Sequence, residues 1–202
     1  MLYCYGNSND ILMCKGTVNN KFINSFGRKL IYLQFQRIGK AVIMSDGKTI
    51  LYHGSKVLVE YPEIRIAKYN KDFYYGFYCT MYQEQAERWA ARFTGKGFIS
   101  EFLYSPQDNL KMKHFTEMTE EWLDFIVNCR IGKAHDYDIV EGPMADDTIF
   151  NYIQNFLDRK ISRAAFWELA KFKRPTHQIS FHTARALATL KFLKGYEVYD
   201  KE

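Results

Sequence analysis

A histidine, a glycine and a serine stand together at the end of an apolar run, Thr49-Ile50-Leu51-Tyr52-His53-Gly54-Ser55. Further along, Gly76-Phe77-Tyr78-Cys79-Thr80 presents a tyrosine. An imidazole, a backbone without a Cβ and a hydroxyl at one strand tip, with a phenol on a second strand, are groups that hydrogen-bond and stack on a ligand. A lone strand-end histidine is equally a structural residue. With fifteen tyrosines in the chain, β-propensity alone accounts for a half-buried Tyr78.

The surrounding elements read as follows. The turn Met44-Ser45-Asp46-Gly47 precedes the strand Ile50–His53. Val57 to Ile66 is a loop, and Gly76 to Thr80 a short strand. Ala86, Trp89, Ala90 and Phe93 recur at helical spacing over Gln83–Phe93, with Gly95 and Gly97 as terminators. A strand over Phe98–Tyr104 and a helix over Glu121–Cys129, with Trp122, Phe125 and Ile126 inward, come next. Tyr137–Val140 is a brief strand ending at Gly142-Pro143. Asp146-Asp147 opens a helix to Leu157, as capping and the helix dipole favour, and Ser162 caps another over Arg163–Phe172. Gln178–Phe181 is a strand, and Thr183–Leu193 a last helix with Ala184, Leu187, Ala188 and Leu190 inward. Short strands in irregular alternation with helices predict the α+β class. Residues 1–44 read as an N-terminal extension, poorly ordered or with Lys29–Arg37 packed as a helix or strand, and 45–202 as the compact domain.

Composition narrows the function classes. The chain has 202 residues, 47% of them hydrophobic and 25% charged, which suits a folded domain and excludes disorder. No apolar run reaches the roughly 18–20 residues that span a bilayer. Met1 to Gly6 has neither the basic nor the apolar region of a signal peptide, so the cytoplasm is the expected location. Cys4, Cys14, Cys79 and Cys129 form no CxxC and have no histidine cluster beside them. No zinc site and no disulfide framework is expected, only reduced, mostly buried thiols. A formal charge of +5 permits an anionic ligand or nucleic acid without demanding either. There is no GxGxxG or GxxxxGK[ST], hence no Rossmann or P-loop signal.

The His-Gly-Ser strand and the Gly-Phe-Tyr strand followed by Gln85-Ala86-Glu87-Arg88-Trp89-Ala90 resemble the NAD-binding core of the ADP-ribosyltransferases, on the poly(ADP-ribose) polymerase and diphtheria-toxin side. Five ordered segments (LYHGS, GFYxT, WxxFIxNxR, YDIVxGxxADD and QISFHT) also resemble an uncharacterised bacterial family of ADP-ribosyltransferase-like domains, often encoded in toxin–antitoxin pairs. The resemblance implies two small antiparallel sheets with NAD in the cleft between them. It implies NAD as substrate, a cognate antitoxin as partner, and a protein or nucleic-acid acceptor for a single ADP-ribose unit. It implies that His53 bonds a ribose hydroxyl and that the Gly54 backbone approaches the nicotinamide amide. Ser55 adds a hydroxyl there, Tyr78 stacks on the nicotinamide ring, and Gly76 belongs to the same binding strand.

The superfamily's late-strand Glu is absent. Thr176-His177-Gln178-Ile179 places Gln178, or His177, where that carboxylate would stand. A missing charge at about 4 Å with an effective dielectric of about 20 forfeits roughly 4 kcal/mol, on the order of a thousandfold in rate. Glu101, Glu141, Asp146 and Asp147 are candidates for a substitute, although Asp146-Asp147 also serves as an ordinary helix cap. Gln178 is carried as the catalytic-position residue beside His53 and Tyr78. The remaining histidines, His114, His135, His177 and His182, read as structural or solvent-exposed, and Lys171-Phe172-Lys173-Arg174 as a solvated helix end. Two other classes stay open: a catalytically inert NAD- or ADP-ribose-binding module, and a nucleic-acid-binding protein with steeply salt-dependent affinity.

Overall fold

The computed structural model describes residues 3–5, 13–15, 47–66, 71–92, 96–145, 147–170 and 176–199. The expectations at Lys29–Arg37, Met44–Asp46, Phe93, Gly95, Asp146 and Lys171–Pro175 lie outside the described residues, as does the order of most of the stretch 1–44. The chain divides into two compact units, Met1–Gln34 and Phe35–Glu202. In the first, β1 (Tyr3–Tyr5) and β2 (Met13–Lys15) pair antiparallel with Cys4 opposite Cys14.

The second unit is α+β. One sheet has the order β3 (Thr49–Ser55), β5 (Lys96–Tyr104), β9 (Leu190–Tyr199), antiparallel throughout. The other has the order β4 (Phe77–Cys79), β8 (Gln178–Phe181), β7 (Ile139–Gly142), β6 (Met112–His114). The expectation of two purely antiparallel sheets is corrected at β6, which runs parallel to β7. Helix α2 (Glu120–Arg130) lies between them in sequence and provides the crossover that a parallel neighbour requires. Thr119 caps α2, its Oγ1 accepting from the Trp122 N–H at 3.2 Å, a contact worth about 1 kcal/mol.

Three apolar clusters hold this unit together. Leu51 and Phe102 from the first sheet meet Phe77, Ile139, Ile179 and Phe181 from the second. On the far face of the second sheet, Val140 and Phe73 pack against Trp122, Leu123 and Ile126 of α2. Ile149 and Ile153 of α3 (Asp147–Leu157) and Phe166 of α4 (Arg163–Ala170) complete that cluster. Each of these side chains is all but fully buried, and full burial stabilises by roughly 1.5–3 kcal/mol apiece. Ser162 Oγ accepts from the Ala165 N–H at 3.1 Å, as expected of a cap.

The third cluster sets α1 (Gln83–Ala90) on the first sheet through Ala86 and Ala90. Contact is so close that a Cβ on Gly54 would lie 2.4 Å from the Ala86 oxygen, and one on Gly97 2.2 Å from the Ala90 oxygen. Gly97 is therefore a strand residue in β5, not a helix terminator. There is no room in this seam for indole, so Trp89 turns outward, 44% exposed beneath the Arg92 guanidinium, and Gln85 takes the inner position.

The expected last helix is also corrected. Only α5 (Ala184–Leu187) is helical, capped by Thr183 Oγ1, and the chain then enters β9. The β5–β9 register shifts between Glu101 and Phe102, which pair with Lys194 and Phe192 and leave Leu193 over as an extra residue. Among the described residues no helix is long and apolar enough to cross a membrane.

Candidate active site

Among the described residues one backbone bridge joins the two sheets. The Tyr52 N–H donates to the Thr80 oxygen at 2.8 Å, and the Thr80 N–H to the Tyr52 oxygen at 2.9 Å. Were this antiparallel ladder to continue, the next hydrogen-bonded pair would be Gly54 and Tyr78. No main-chain bond joins that pair: the bridge is isolated, and the Tyr78 oxygen meets the His53 ring instead. The main-chain direction alternates along a strand, so Gly54 turns its N–H and C=O toward the same open edge that Tyr52 uses. The split thus opens between the two residues that the sequence singled out.

His53 closes its inner end. Its Nδ1 lies 2.6 Å from the Tyr78 carbonyl oxygen. A carbonyl only accepts, so Nδ1 carries the proton and Nε2 is left as a lone-pair acceptor. The ring stacks on Phe77, with centroids 4.4 Å apart. Burial, opposed by the Tyr78 hydrogen bond and assisted by nearby Lys71 and Arg65, lowers its pKa from 6.5 to about 4, so the imidazole is neutral across the physiological range.

Tyr78 is held at its hydroxyl. Its Oη donates to the Tyr74 oxygen at 2.7 Å and accepts from the Phe73 N–H at 3.0 Å. Burial first, and then the Asp72 carboxylate, push the phenol well above its ordinary pKa. The Lys71 ammonium stands 4.6 Å over the ring centroid. The segment entering β4 is pinned from behind. The His135 Nε2–H donates to the Phe73 oxygen at 3.0 Å and the His182 Nδ1–H to the Tyr75 oxygen at 2.7 Å. Tyr74, between them, has φ 71°, a left-handed conformation that a bulky residue holds only when its neighbours impose it. Gly76 admits the His182 ring, since a Cβ there would lie 2.9 Å from its Nδ1.

Ser55 donates its hydroxyl to the Val57 oxygen at 2.6 Å, a local turn contact on a half-buried residue. Gln178 lies on the strand beside β4, 5% exposed. Its Nε2 donates to Asp72 Oδ2 at 3.0 Å and to the Pro143 oxygen at 3.2 Å. The preceding residue is fastened from three sides. Gln85 bonds the His177 main chain at both ends, Oε1 accepting from its N–H at 3.0 Å and Nε2 donating to its oxygen at 2.6 Å. The His177 ring accepts from the Met81 N–H at Nδ1, 3.1 Å, and donates from Nε2 to Glu141 Oε1, 3.0 Å. These bonds occupy both ring nitrogens and both main-chain groups of His177. Burial works to raise the pKa of Glu141, but the His177 bond and the charges of His177 and His114 outweigh it, and the net shift is downward.

Of the candidate substitute carboxylates, Glu141 is taken up by His177, and Glu101 faces Lys194 at 3.5 Å, while Asp146 and the Asp147 side chain lie outside the described structure. Among the described residues the carboxylate that reaches Gln178 is Asp72, which sequence reasoning missed. Its Oδ1 accepts from Arg130 Nη2 at 2.6 Å and Nε at 3.1 Å, and its Oδ2 also takes the Ala145 N–H at 3.0 Å. The ion pair is buried, with side-chain exposures of 4% for Arg130 and 11% for Asp72. Arg130 was visible as the last residue of the WxxFIxNxR segment, and Asp72 only as an acid preceding an aromatic run.

A family described as a protein of unknown function, DUF3990, matches residues 49–192, more than half of the chain. The chain belongs to the DUF3990 family. No curated protein matches it. The DUF3990 match begins with β3 and ends within β9, so it takes in the split, His53, Tyr78, Gln178 and the Asp72–Arg130 pair. Among the described residues no cluster of His, Cys, Asp and Glu is arranged to hold a metal ion.

Proposed function

We propose that this DUF3990 protein is a mono-ADP-ribosyltransferase that moves one ADP-ribose unit from NAD to a macromolecular acceptor, a protein or a nucleic acid. In this reading the two sheets form the split-sheet ADP-ribosyltransferase fold and NAD enters the gap between β3 and β4. The observation that carries it is the parting of the ladder between Gly54 and Tyr78, with His53 closing the inner end and offering a neutral Nε2. An unladdered N–H and C=O on one residue suit a carboxamide, which has one acceptor and one donor group. A fixed acceptor nitrogen suits a ribose hydroxyl.

The reaction breaks the bond from ribose C1′ to the nicotinamide nitrogen, and the electron pair stays on that nitrogen. A nucleophile of the acceptor supplies the pair that closes on C1′ and loses its proton to solvent. Positive charge builds on the sugar as the bond breaks, as in glycoside hydrolysis. Oriented acceptors near C1′ stabilise it. A toxin-like role, restrained in the cytoplasm by a cognate antitoxin, follows from the sequence resemblance and belongs to the same proposal.

A second reading is a binding module without turnover. It is favoured by the uncharged Gln178, whose amide nitrogen is already committed to Asp72 and Pro143. Nicotinamide release from NAD by the purified full chain, with and without cellular protein and RNA as acceptors, separates the two. Acceptor-dependent release supports the transferase. NAD binding without release supports the module. Neither binding nor release would remove both.

A further inference from the structure

We infer that Asp72 is a positioning residue that fixes the orientation of the Gln178 amide, so that Gln178 presents its carbonyl oxygen, not its NH2, to the substrate. The inference rests on the transferase reading for what the amide is for, but the orientation itself follows from the hydrogen bonds. An amide nitrogen has two hydrogens, and two acceptors stand at hydrogen-bond distance from Nε2: Asp72 Oδ2 at 3.0 Å and the Pro143 oxygen at 3.2 Å. Neither acceptor has a proton to give. Turning the amide over would set Oε1 against a carboxylate and a carbonyl, which is repulsive in a buried site.

Both acceptors are themselves held. Asp72 Oδ1 is gripped by Arg130 through Nη2 and Nε, and Oδ2 takes the Ala145 N–H. The Pro143 oxygen also accepts from Trp122 Nε1 at 3.1 Å. Thr176 fastens the strand entry, its Oγ1 accepting from the Met144 N–H at 3.0 Å and donating to the Met144 oxygen at 2.8 Å. Oε1 is then the free end of a rigid group, with an anionic carboxylate directly behind the nitrogen. That polarises the amide and increases the negative character of Oε1. Asp72 in this way supplies, one hydrogen bond removed, part of the charge that a Glu at 178 would supply directly.

The same geometry decides what substitutions do. Gln178→Glu alone sets two carboxylates against each other, and such a pair keeps a proton. Asp72→Asn removes the anionic acceptor: its NH2 reaches Gln178 only by facing the Ala145 N–H, and a turned Gln178 sets Oε1 against the Pro143 oxygen, so the amide loses both its fixed orientation and the charge behind it. Exchanging both, Asp72→Asn with Gln178→Glu, restores one carboxylate and one amide, with the charge now at position 178 and one carboxylate oxygen left facing the Pro143 oxygen.

The test uses the full chain in two measurements. The first needs no NAD: in the protein's NMR spectrum the Gln178 side-chain NH2 is expected to show both hydrogens protected from solvent exchange, with a contact to the Ala145 amide proton. Rapid exchange of both hydrogens would overturn the inference whatever the protein does with NAD. The second measures NAD affinity and nicotinamide release for wild type, Asp72→Asn, Gln178→Glu and the exchange. Expected are an affinity within about threefold of wild type throughout, release lowered tenfold or more by Asp72→Asn, and release in the exchange above both single variants. Equal release from Gln178→Glu and the exchange, or an Asp72→Asn variant indistinguishable from wild type, would overturn it. An absence of NAD binding by the wild type would instead remove the transferase reading and leave the orientation to the NMR result.

Discussion

Asp72 and Gln178 are 106 residues apart in the chain and 3.0 Å apart in the fold, and the bond between them is buried. It joins the segment that enters β4 to the first residue of β8, so the two motif-bearing strands are coupled by side chains as well as by their ladder. Behind it stands the Arg130 guanidinium. Removing one partner of such a buried pair leaves the other charge stranded, at a cost of about 3–5 kcal/mol. Asp72→Ala is accordingly expected to lower unfolding free energy by that amount in urea titrations, and a loss below about 1 kcal/mol would count against a buried pair.

His53 and His182 each have a pKa near 4 in the folded protein, against 6.5 as the ordinary value, chiefly because burial disfavours the charged ring. The unfolded chain therefore takes up protons first as the medium is acidified. Their contribution to stability is complete above about pH 6.5 and drains away as pH falls toward 4. Thermal melts across this window are expected to show a falling midpoint with falling pH, with a shallower slope in His182→Asn.

The same neutrality sets the pH dependence of ligand binding. Nε2 of His53 remains an acceptor until the ring titrates near pH 4, so NAD affinity is expected to hold level from pH 8 to 5. A break near pH 6.5 in calorimetric titrations would show an ordinary exposed imidazole instead. His53→Ala is expected to abolish NAD binding, and an unchanged affinity would take the cleft away from this strand.

Gly97→Ala forces a Cβ to within 2.2 Å of the Ala90 oxygen, and Gly54→Ala to within 2.4 Å of the Ala86 oxygen. Both neighbours are helix backbone and yield only if α1 moves. Each substitution is expected to destabilise by about 1–3 kcal/mol. Differential scanning calorimetry of Gly97→Ala, which lies outside the gap, isolates the packing effect from any effect on ligand.

Burial raises the Cys79 thiol well above its ordinary range and pushes Cys129 up to about 12. Both are free and buried. Peptide mapping after alkylation of the native protein is expected to leave these two unmodified and to find them modified only after denaturation.

Much of this fold could be read from the chain because its core elements carry clean periodicity. Leu51, Phe102 and Ile179 stand on strands whose buried residues were evident, and Trp122 and Ile126 mark the face of α2. β6 escaped because Met112 and His114 are exposed and Lys113 is half-buried, so three residues on a sheet edge carry no apolar pattern. The start of β9 reads as helix in the sequence because Ala184, Leu187, Ala188 and Leu190 fall at helical spacing. Leu190, Phe192, Tyr196 and Val198 do keep a two-residue spacing, but the out-of-phase Leu193 and the exposed Lys194 between them hide it. The candidates His53, Tyr78 and Gln178 are legible in the sequence because each sits in a short ordered segment. Asp72 could not, since its role depends on a tertiary contact with Gln178 and on Arg130 closing over it.

The bridge between Tyr52 and Thr80 is a single rung, and both its bonds run between main-chain atoms. The alignment of the His-Gly-Ser tip with the tyrosine strand is therefore written in register as well as in the His53 ring that bonds the Tyr78 oxygen. A proline at either position of that rung would erase the alignment while leaving every motif letter in place. Proteins that spell the same motifs but lack the rung would share this one's vocabulary without its grammar.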